Sequence, residues 1–242
     1  MAEDAFQAQC ARDWQEVLHD PGTEDWRRHW FLDGERATVR NSPQGMDFSA
    51  GPVKRDNASH AVLWTKLDVA GDLRIQLRFT RLDSVMRFVN ILYLQATGIG
   101  EGPYSEDIAE WSELRQIPSM RSYYDTMELL HISYAAFGNT DDTDSDYVRA
   151  RRYPARPDHP FDQTDLPPDN FDTDLFRPGV TCDFDVIKTD ADLYFQVVSG
   201  DRRELFHWPL ADVPPLAHGR IGIRHMATRC SRYADIRISR AD

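Results

Sequence analysis

A chain of 242 residues, 41% hydrophobic and 11% aromatic, is long enough to bury a full core, and an all-β sandwich of this size is commonly one domain. Its formal net charge of −12 argues against general nucleic-acid binding and against adhesion to an anionic membrane surface. Three cysteines, Cys10, Cys182 and Cys230, are an odd number without metal-type spacing, so isolated thiols are expected and no disulfide framework.

The N-terminus lacks a basic n-region and an apolar h-region, and no apolar run approaches the roughly 20 residues of a membrane span, so a soluble, cytoplasmic protein is expected. Residues 5–18 read as a short helix, broken by Asp20-Pro21-Gly22-Thr23, and a second short helix is expected from Thr23. From Gly34 the punctuation becomes β-like, with strands expected at Arg36 to Arg40, Met46 to Ser49 and His60 to Lys66. The clearest periodicity is Leu73 to Arg81: Leu73, Ile75, Leu77 and Phe79 alternate with Arg74, Gln76, Arg78 and Thr80, as in a half-buried antiparallel strand. Phe88 to Leu94 is apolar on both faces and belongs centrally in a sheet. Residues 101–123 carry no convincing strand, and Ser105 to Leu114 reads as a surface helix or lid bearing Trp111.

Leu129 to Tyr134 then reads as a strand with Leu130, Ile132 and Tyr134 on one face and Leu129, His131 and Ser133 on the other. An acidic loop, 141–146, follows; its sixth position from Asp142 is Tyr147 and its twelfth Tyr153, which excludes an EF-hand. Beyond it lies the arginine run Arg149, Arg151 and Arg152, then a Pro- and Asp-rich stretch, 154–178, expected as a long irregular loop of the kind that carries function. Strands resume at Thr181 to Ile187, Leu193 to Val198, Glu204 to Trp208, Arg220 to Met226 and Arg232 to Ser239. About eleven short strands without βαβ alternation predict one β-sandwich over residues 1–242, with 1–33 a helical or irregular lead-in.

Four segments in order carry a resemblance: Ala61-Val62-Leu63-Trp64, the Leu92 to Ile99 strand end, Leu130-His131-Ile132-Ser133-Tyr134, and Gly219-Arg220-Ile221-Gly222-Ile223-Arg224-His225-Met226. Together they resemble the YesU-like proteins of bacteria, from about residue 30 to the C-terminus. The resemblance implies an all-β, concanavalin A-like jelly-roll β-sandwich with short peripheral helices and long loops. It also implies a place among genes for using pectic, rhamnogalacturonan-type polysaccharides. The same broad fold holds lectins, glucanases and alginate-type lyases, so fold does not choose the chemistry.

Three chemistries compete. A lyase cleaving a uronic-acid glycan by β-elimination needs a cation for the substrate carboxylate, a base for the C5 proton and an acid for the leaving oxygen; Arg149, Arg151 and Arg152, then His131, then Tyr134 or Tyr124, supply those groups. A regular strand points Tyr134 away from His131, and Tyr124, in the preceding loop, or Tyr147 could fill the gap. A glycoside hydrolase needs paired carboxylates; no Glu-x-Asp-x-x-Glu array is present, and Glu128, Asp183 and Asp185 read as surface charges. A sugar-binding protein without catalysis would stack its ligand on aromatic faces, with Trp111 the best placed.

Arg224 and Arg78 complete the expected substrate-binding set; Gly222 would let a ligand approach the backbone, while His225 reads as an inner histidine. The expected partner is an oligosaccharide, with neither nucleic acid nor membrane, and homo-oligomerisation is left open. No cofactor is expected, and a structural calcium lacks a motif. An enzyme is favoured, lyase ahead of hydrolase, on uronic acid-containing oligosaccharides.

Overall fold

The structure, a computed structural model, describes residues 2–138 and 145–241. Most of the acidic loop lies outside the described residues; Ser145 and Asp146 lie within them. In chain order come α1 (Ala2–Cys10), β1 (Gln15–Asp20), β2 (Trp30–Asp33), β3 (Thr38–Ser42), β4 (Gly45–Ser49), β5 (Ala61–Ala70), β6 (Asp72–Arg81) and β7 (Asn90–Gly98). After α2 (Met120–Tyr124) follow β8 (Met127–Phe137), β9 (Asp146–Tyr153), β10 (Asp165–Phe171), β11 (Thr181–Lys188), β12 (Asp192–Ser199), β13 (Arg202–Pro209), β14 (His218–His225) and β15 (Cys230–Ala241).

Two antiparallel sheets stack face to face. The first runs β13-β12-β11-β6-β15-β4-β3, with β1 added beside β15; the second runs β10-β9-β8-β7-β14-β5-β2. In β6 the alternation does what its sequence predicts: Leu73, Ile75, Leu77 and Phe79 are buried in the interior, while Arg74 and Gln76 reach Asp185 on the outer side. From the second sheet, Leu130, Ile132 and Tyr134 of β8 and Val148 and Ala150 of β9 enter the same interior. Burying each large side chain there stabilises the fold by about 1.5–3 kcal/mol.

Two expectations are corrected. The N-terminal helix stops at Cys10, and Gln15–Asp20 is a strand. β4 pairs only with the first part of β15, Cys230 to Tyr233, so β1 satisfies the backbone of the remainder, from Gln15 opposite Arg240 to Asp20 opposite Ile236. The stretch 154–178 contains an edge strand, β10, whose register slips between Leu166 and Asn170, across Pro167 and Pro168, where the edge asks for no ladder donor.

The outer face of the second sheet is covered as well. Residues 99–126, between β7 and β8, form a strap with a 3-10 segment at Ile108–Arg115 followed by α2. Ile108, Trp111 and Tyr123 of the strap pack on Trp64, Tyr93, Leu129 and Tyr153 of the sheet as a second buried cluster. A face that periodicity assigns to a ligand is thus largely a second core. Among the described residues, no helix is long and apolar enough to cross a membrane.

Candidate functional site

Strand register builds the site row by row. His131 stands between Arg151 on β9 and Tyr93 on β7, and Gly222 on β14 separates Tyr93 from Trp64 on β5. In the next row, Arg149 faces Ser133, and Arg224 lies between Ile91 and Val62. His131, Arg149, Arg151 and Arg224 therefore share the outer face of the second sheet. Arg152 has the opposite parity and turns to Glu128 and to the Pro214 carbonyl, 3.0 Å away.

His131 is 2% exposed and fully engaged. Its Nδ1 lies 2.9 Å from the Tyr153 hydroxyl and its Nε2 lies 2.7 Å from Ser133 Oγ. Burial, and then the nearby Arg151, Arg224 and Arg149, hold its pKa well below the ordinary histidine value, so it is neutral. A neutral imidazole offers one N–H and one lone pair, so one of the two hydroxyls donates to it and the other accepts. Arg149 Nε donates to Asp169 at 2.8 Å. Arg151 pairs with Asp165 at 2.7 Å, donates to the Phe161 carbonyl and Thr164 Oγ1, and lies 4.3 Å over the Phe161 ring.

The strap closes on this face through one carboxylate. Asp33 Oδ2, at the end of β2, accepts from Arg115 Nε at 2.6 Å, Trp64 Nε1 at 2.8 Å and the Tyr123 hydroxyl at 3.1 Å. Both ends of the Asp33–Arg115 pair are fully buried. Pro118 of the strap accepts from Arg224 Nη2 at 2.7 Å, and the Arg224 guanidinium lies 4.4 Å over the Tyr123 ring. The same nitrogen donates to His60 Nδ1 at 3.0 Å; burial and then Arg224 push the His60 pKa down to about 3, which keeps that lone pair available.

Several expected positions do not join this face. Tyr134 lies in the interior between the sheets, its hydroxyl 2.7 Å from that of Tyr233, because residues i and i+3 of a regular strand face opposite ways. Arg78 is exposed on the outer side of β6, in the first sheet, beside Asp183 and Ala234. Trp111 is 5% exposed, its Nε1 donating to the Ser105 carbonyl and Arg115 capping its ring at 4.2 Å, so neither edge nor face is free for a sugar. The room expected beside Gly222 is filled by the Trp64 ring. Asp183 and Asp185 also belong to the first sheet, where Asp185 is held by Arg74.

Solvent meets the second sheet at its β9 margin. One cleft of about 480 Å³ is lined by Glu128, Arg152, Tyr153, Pro154, Arg156 and His159, among others. A second of about 410 Å³ is lined by Arg121, Tyr124, Asp125, Ala155, Arg156 and Phe161, among others. Arg156 is a wall of both, and its Nη2 donates to Glu128 Oε1 at 3.1 Å while Glu128 Oε2 accepts from Arg152. Tyr124 and Phe161, ring centroids 4.6 Å apart, stand in the second cleft. Of the sequence-derived candidates, Tyr124 and Arg152 thus reach open clefts, whereas His131 and Arg224 line none of the five clefts described.

Arg156 and Phe161 were not singled out in the sequence, although both fall in the Pro-rich stretch flagged as a place for function. An arginine and an aromatic among prolines was the available signal. Asp33, Arg115, Tyr93 and Tyr153 come from four separate segments, and no local pattern joins them.

No protein-family model matches the chain, and no curated protein sequence does. Solved structures do. A protein of unknown function with galectin-like fold from Bacillus subtilis superposes with a TM-score of 0.70 at 16% identity, over 96% of this chain and 99% of that one. Basic winged bean lectin with Tn-antigen gives 0.61 at 8% identity, over 94% and 98%. A legume lectin-like domain from Entamoeba histolytica gives 0.53 at 8% identity, over 96% and 100%. At these identities the likeness is one of architecture: the chain has the galectin and legume-lectin, or concanavalin A-like, jelly-roll sandwich.

Proposed function

We propose that the protein binds acidic oligosaccharides along the paired clefts at the β9 margin, with Arg156 between the two subsites. The observation that supports this reading is the composition of those walls. Three arginines, Arg121, Arg152 and Arg156, stand with three carboxylates, Asp125, Glu128 and Asp158, and with the rings of Tyr124, Tyr153 and Phe161; Asp125 pairs with Arg121, and Glu128 with both Arg152 and Arg156. Guanidinium groups match the fork of a uronate carboxylate, and aromatic rings take the apolar face of a pyranose. Glu128 holds Arg152 and Arg156 in place through its two oxygens, leaving Arg156 60% exposed on its side chain and open to a second anion. Glycans of the pectic, rhamnogalacturonan type, which the YesU-like resemblance implies, carry such carboxylates. Calorimetric titration with oligogalacturonates against neutral oligosaccharides of equal length tests the reading; equal binding of both, or of neither, removes it.

Catalysis by β-elimination is a second reading of the same cleft. His159 is exposed beside Arg152 and Arg156, which puts an accessible imidazole next to the carboxylate-binding groups. His131, hydrogen-bonded at both nitrogens beneath the strap, has no such access. Absorbance of the unsaturated uronate on mixing with pectic or alginate oligosaccharides distinguishes the two: a rising band makes the protein a lyase, and calorimetric binding without it makes it a binding protein.

A further inference from the structure

The arginine-bearing clefts have a neighbour. A third cleft, of about 260 Å³, is lined by Gly98, Ile99, Glu106, Glu128, Pro215 and His218, among others. Two features join it to the cleft of Arg152 and Arg156. Glu128, opposite Thr97 of β7, is a wall of both. The chain just before β14 supplies the other common wall: Pro214 lines the one cleft, and Pro215, Leu216 and Ala217 line the other. Two side chains hold that wall in place. Arg152 Nε donates to the Pro214 carbonyl at 3.0 Å, and Nζ of the buried Lys188 donates to the Leu216 carbonyl at 2.8 Å. The three clefts thus form a series, with Arg156 shared at one junction and Glu128 at the next.

We infer that the third cleft is a subsite for a neutral sugar, so that the ligand is a mixed oligosaccharide in which uronates adjoin an uncharged residue. This rests on the reading of the arginine-bearing clefts as sites for acidic sugars, and adds the order of residues along the ligand. Charge carries the inference. The first two clefts mix guanidinium groups with carboxylates, whereas the third has neither arginine nor lysine in its walls. Glu128 gives its two oxygens to Arg152 and Arg156, but Glu106 is exposed and pairs with no cation among the described residues. His218 Nδ1 lies 3.0 Å from Asp68 Oδ2, so a proton gained there is matched by that carboxylate. A uronate in this cleft would meet the like charge of Glu106, which costs affinity. A neutral sugar would instead find an ionised carboxylate that only accepts, ready for its hydroxyl groups. Ile99 and Pro215 add apolar surface for the C–H face of a pyranose.

Calorimetric titration of the full chain, at fixed pH and ionic strength, tests this with tetrasaccharides of one skeleton. They are tetragalacturonate, the same chain with two residues carboxyl-reduced to galactose at either its reducing or its non-reducing end, and the fully reduced chain. One of the two mixed chains should bind about threefold or more tighter than tetragalacturonate, in spite of its fewer carboxylates, and the neutral chain should bind weakest. Glu106→Lys should reverse the order of the mixed and the uniformly acidic chain, and Glu106→Gln should narrow the gap between them. Asp201→Lys makes the same change of charge at an exposed position in the turn between β12 and β13, outside the three clefts, and should keep the wild-type order. Tetragalacturonate binding as tightly as both mixed chains overturns the neutral subsite and leaves the acidic clefts standing. So does an order that Glu106→Lys fails to change, or one that Asp201→Lys reverses as well. Equal binding of all the chains, or of none, removes the reading of the arginine-bearing clefts and this inference with it.

Discussion

The Trp64 ring lies against Gly222 so closely that a Cβ built on the glycine would meet Cζ3 at 2.4 Å and Cε3 at 2.6 Å. The glycine is what lets Trp64, on β5, reach across β14 and stack on Tyr93 of β7 at 5.4 Å. That stack continues to Tyr123 of the strap, 5.8 Å from Tyr93. One missing side chain thus permits an aromatic layer that joins three strands to their cover.

Gly222→Ala should therefore destabilise the protein by about 1–3 kcal/mol, the usual range for overpacking, because the Trp64 ring that the new methyl would meet is held by other contacts. The urea midpoint should fall with the m-value unchanged. A midpoint equal to wild type would mean that Trp64 can move, which its bond to Asp33 speaks against.

Asp33 supplies the second prediction. Asp33→Asn removes the negative charge from a fully buried pair and leaves Arg115 uncompensated, at a cost of about 3–5 kcal/mol. Since Arg115 and Tyr123 both belong to the strap, the loss should be local as well as global: limited proteolysis should cut within residues 99–126 sooner than elsewhere. Unchanged cleavage kinetics would show that apolar contacts alone hold the strap.

The sequence made the sandwich legible because β6 alternates cleanly, and period-two burial is a local property. The same parity put His131, Arg149, Arg151 and Arg224 on one face and Tyr134 on the other. What parity cannot convey is what lies above a face. Trp111, in a polar stretch, read as exposed because the strap's partners, Asp33, Trp64 and Tyr93, are distant in the chain. Arg78 read as a ligand contact for the related reason that alternation marks a solvent side without saying which sheet carries it. The β1 strand escaped notice because its reason for existing is the unpaired second half of β15, more than 200 residues away.

Acid should destabilise the protein before its carboxylates titrate. Burial is the first cause that depresses His60, His131 and His225, and His60 and His225 are pushed down to about 3. Unfolding frees these imidazoles to bind protons at about 6.5, so between the two values the unfolded chain binds more protons than the folded one. The histidine contribution is fully present above pH about 6.5 and is lost on acidification, each group adding a slope of about 1.4 kcal/mol per pH unit. Chemical denaturation at pH 7, 6 and 5 should show this fall, with proton uptake on unfolding measurable by calorimetry in buffers of different ionisation enthalpy. A stability flat across that range would mean that the three histidines are not held neutral.

The last prediction separates the open clefts from the rest of the arginine-rich surface. Arg156→Ala removes the group shared by both clefts without touching a buried contact, since its partner Glu128 keeps Arg152. Affinity for oligogalacturonates should fall about tenfold, as for loss of one charge-assisted hydrogen bond worth about 1.5 kcal/mol, with Tm near wild type. Arg78→Ala, on the first sheet, should leave affinity unchanged, which controls for net charge because both variants lose one positive group. Tyr134→Phe should do the opposite of Arg156→Ala. It breaks a 2.7 Å bond to Tyr233 in the interior, costing about 1 kcal/mol of stability, and leaves binding intact. If Arg78→Ala weakened binding as much as Arg156→Ala, attraction would be a property of overall charge and the clefts would lose their role. If Tyr134→Phe abolished binding while the fold survived, the ligand would have to reach between the sheets, where the packing of Phe79, Phe184 and Phe195 around Tyr134 leaves no path.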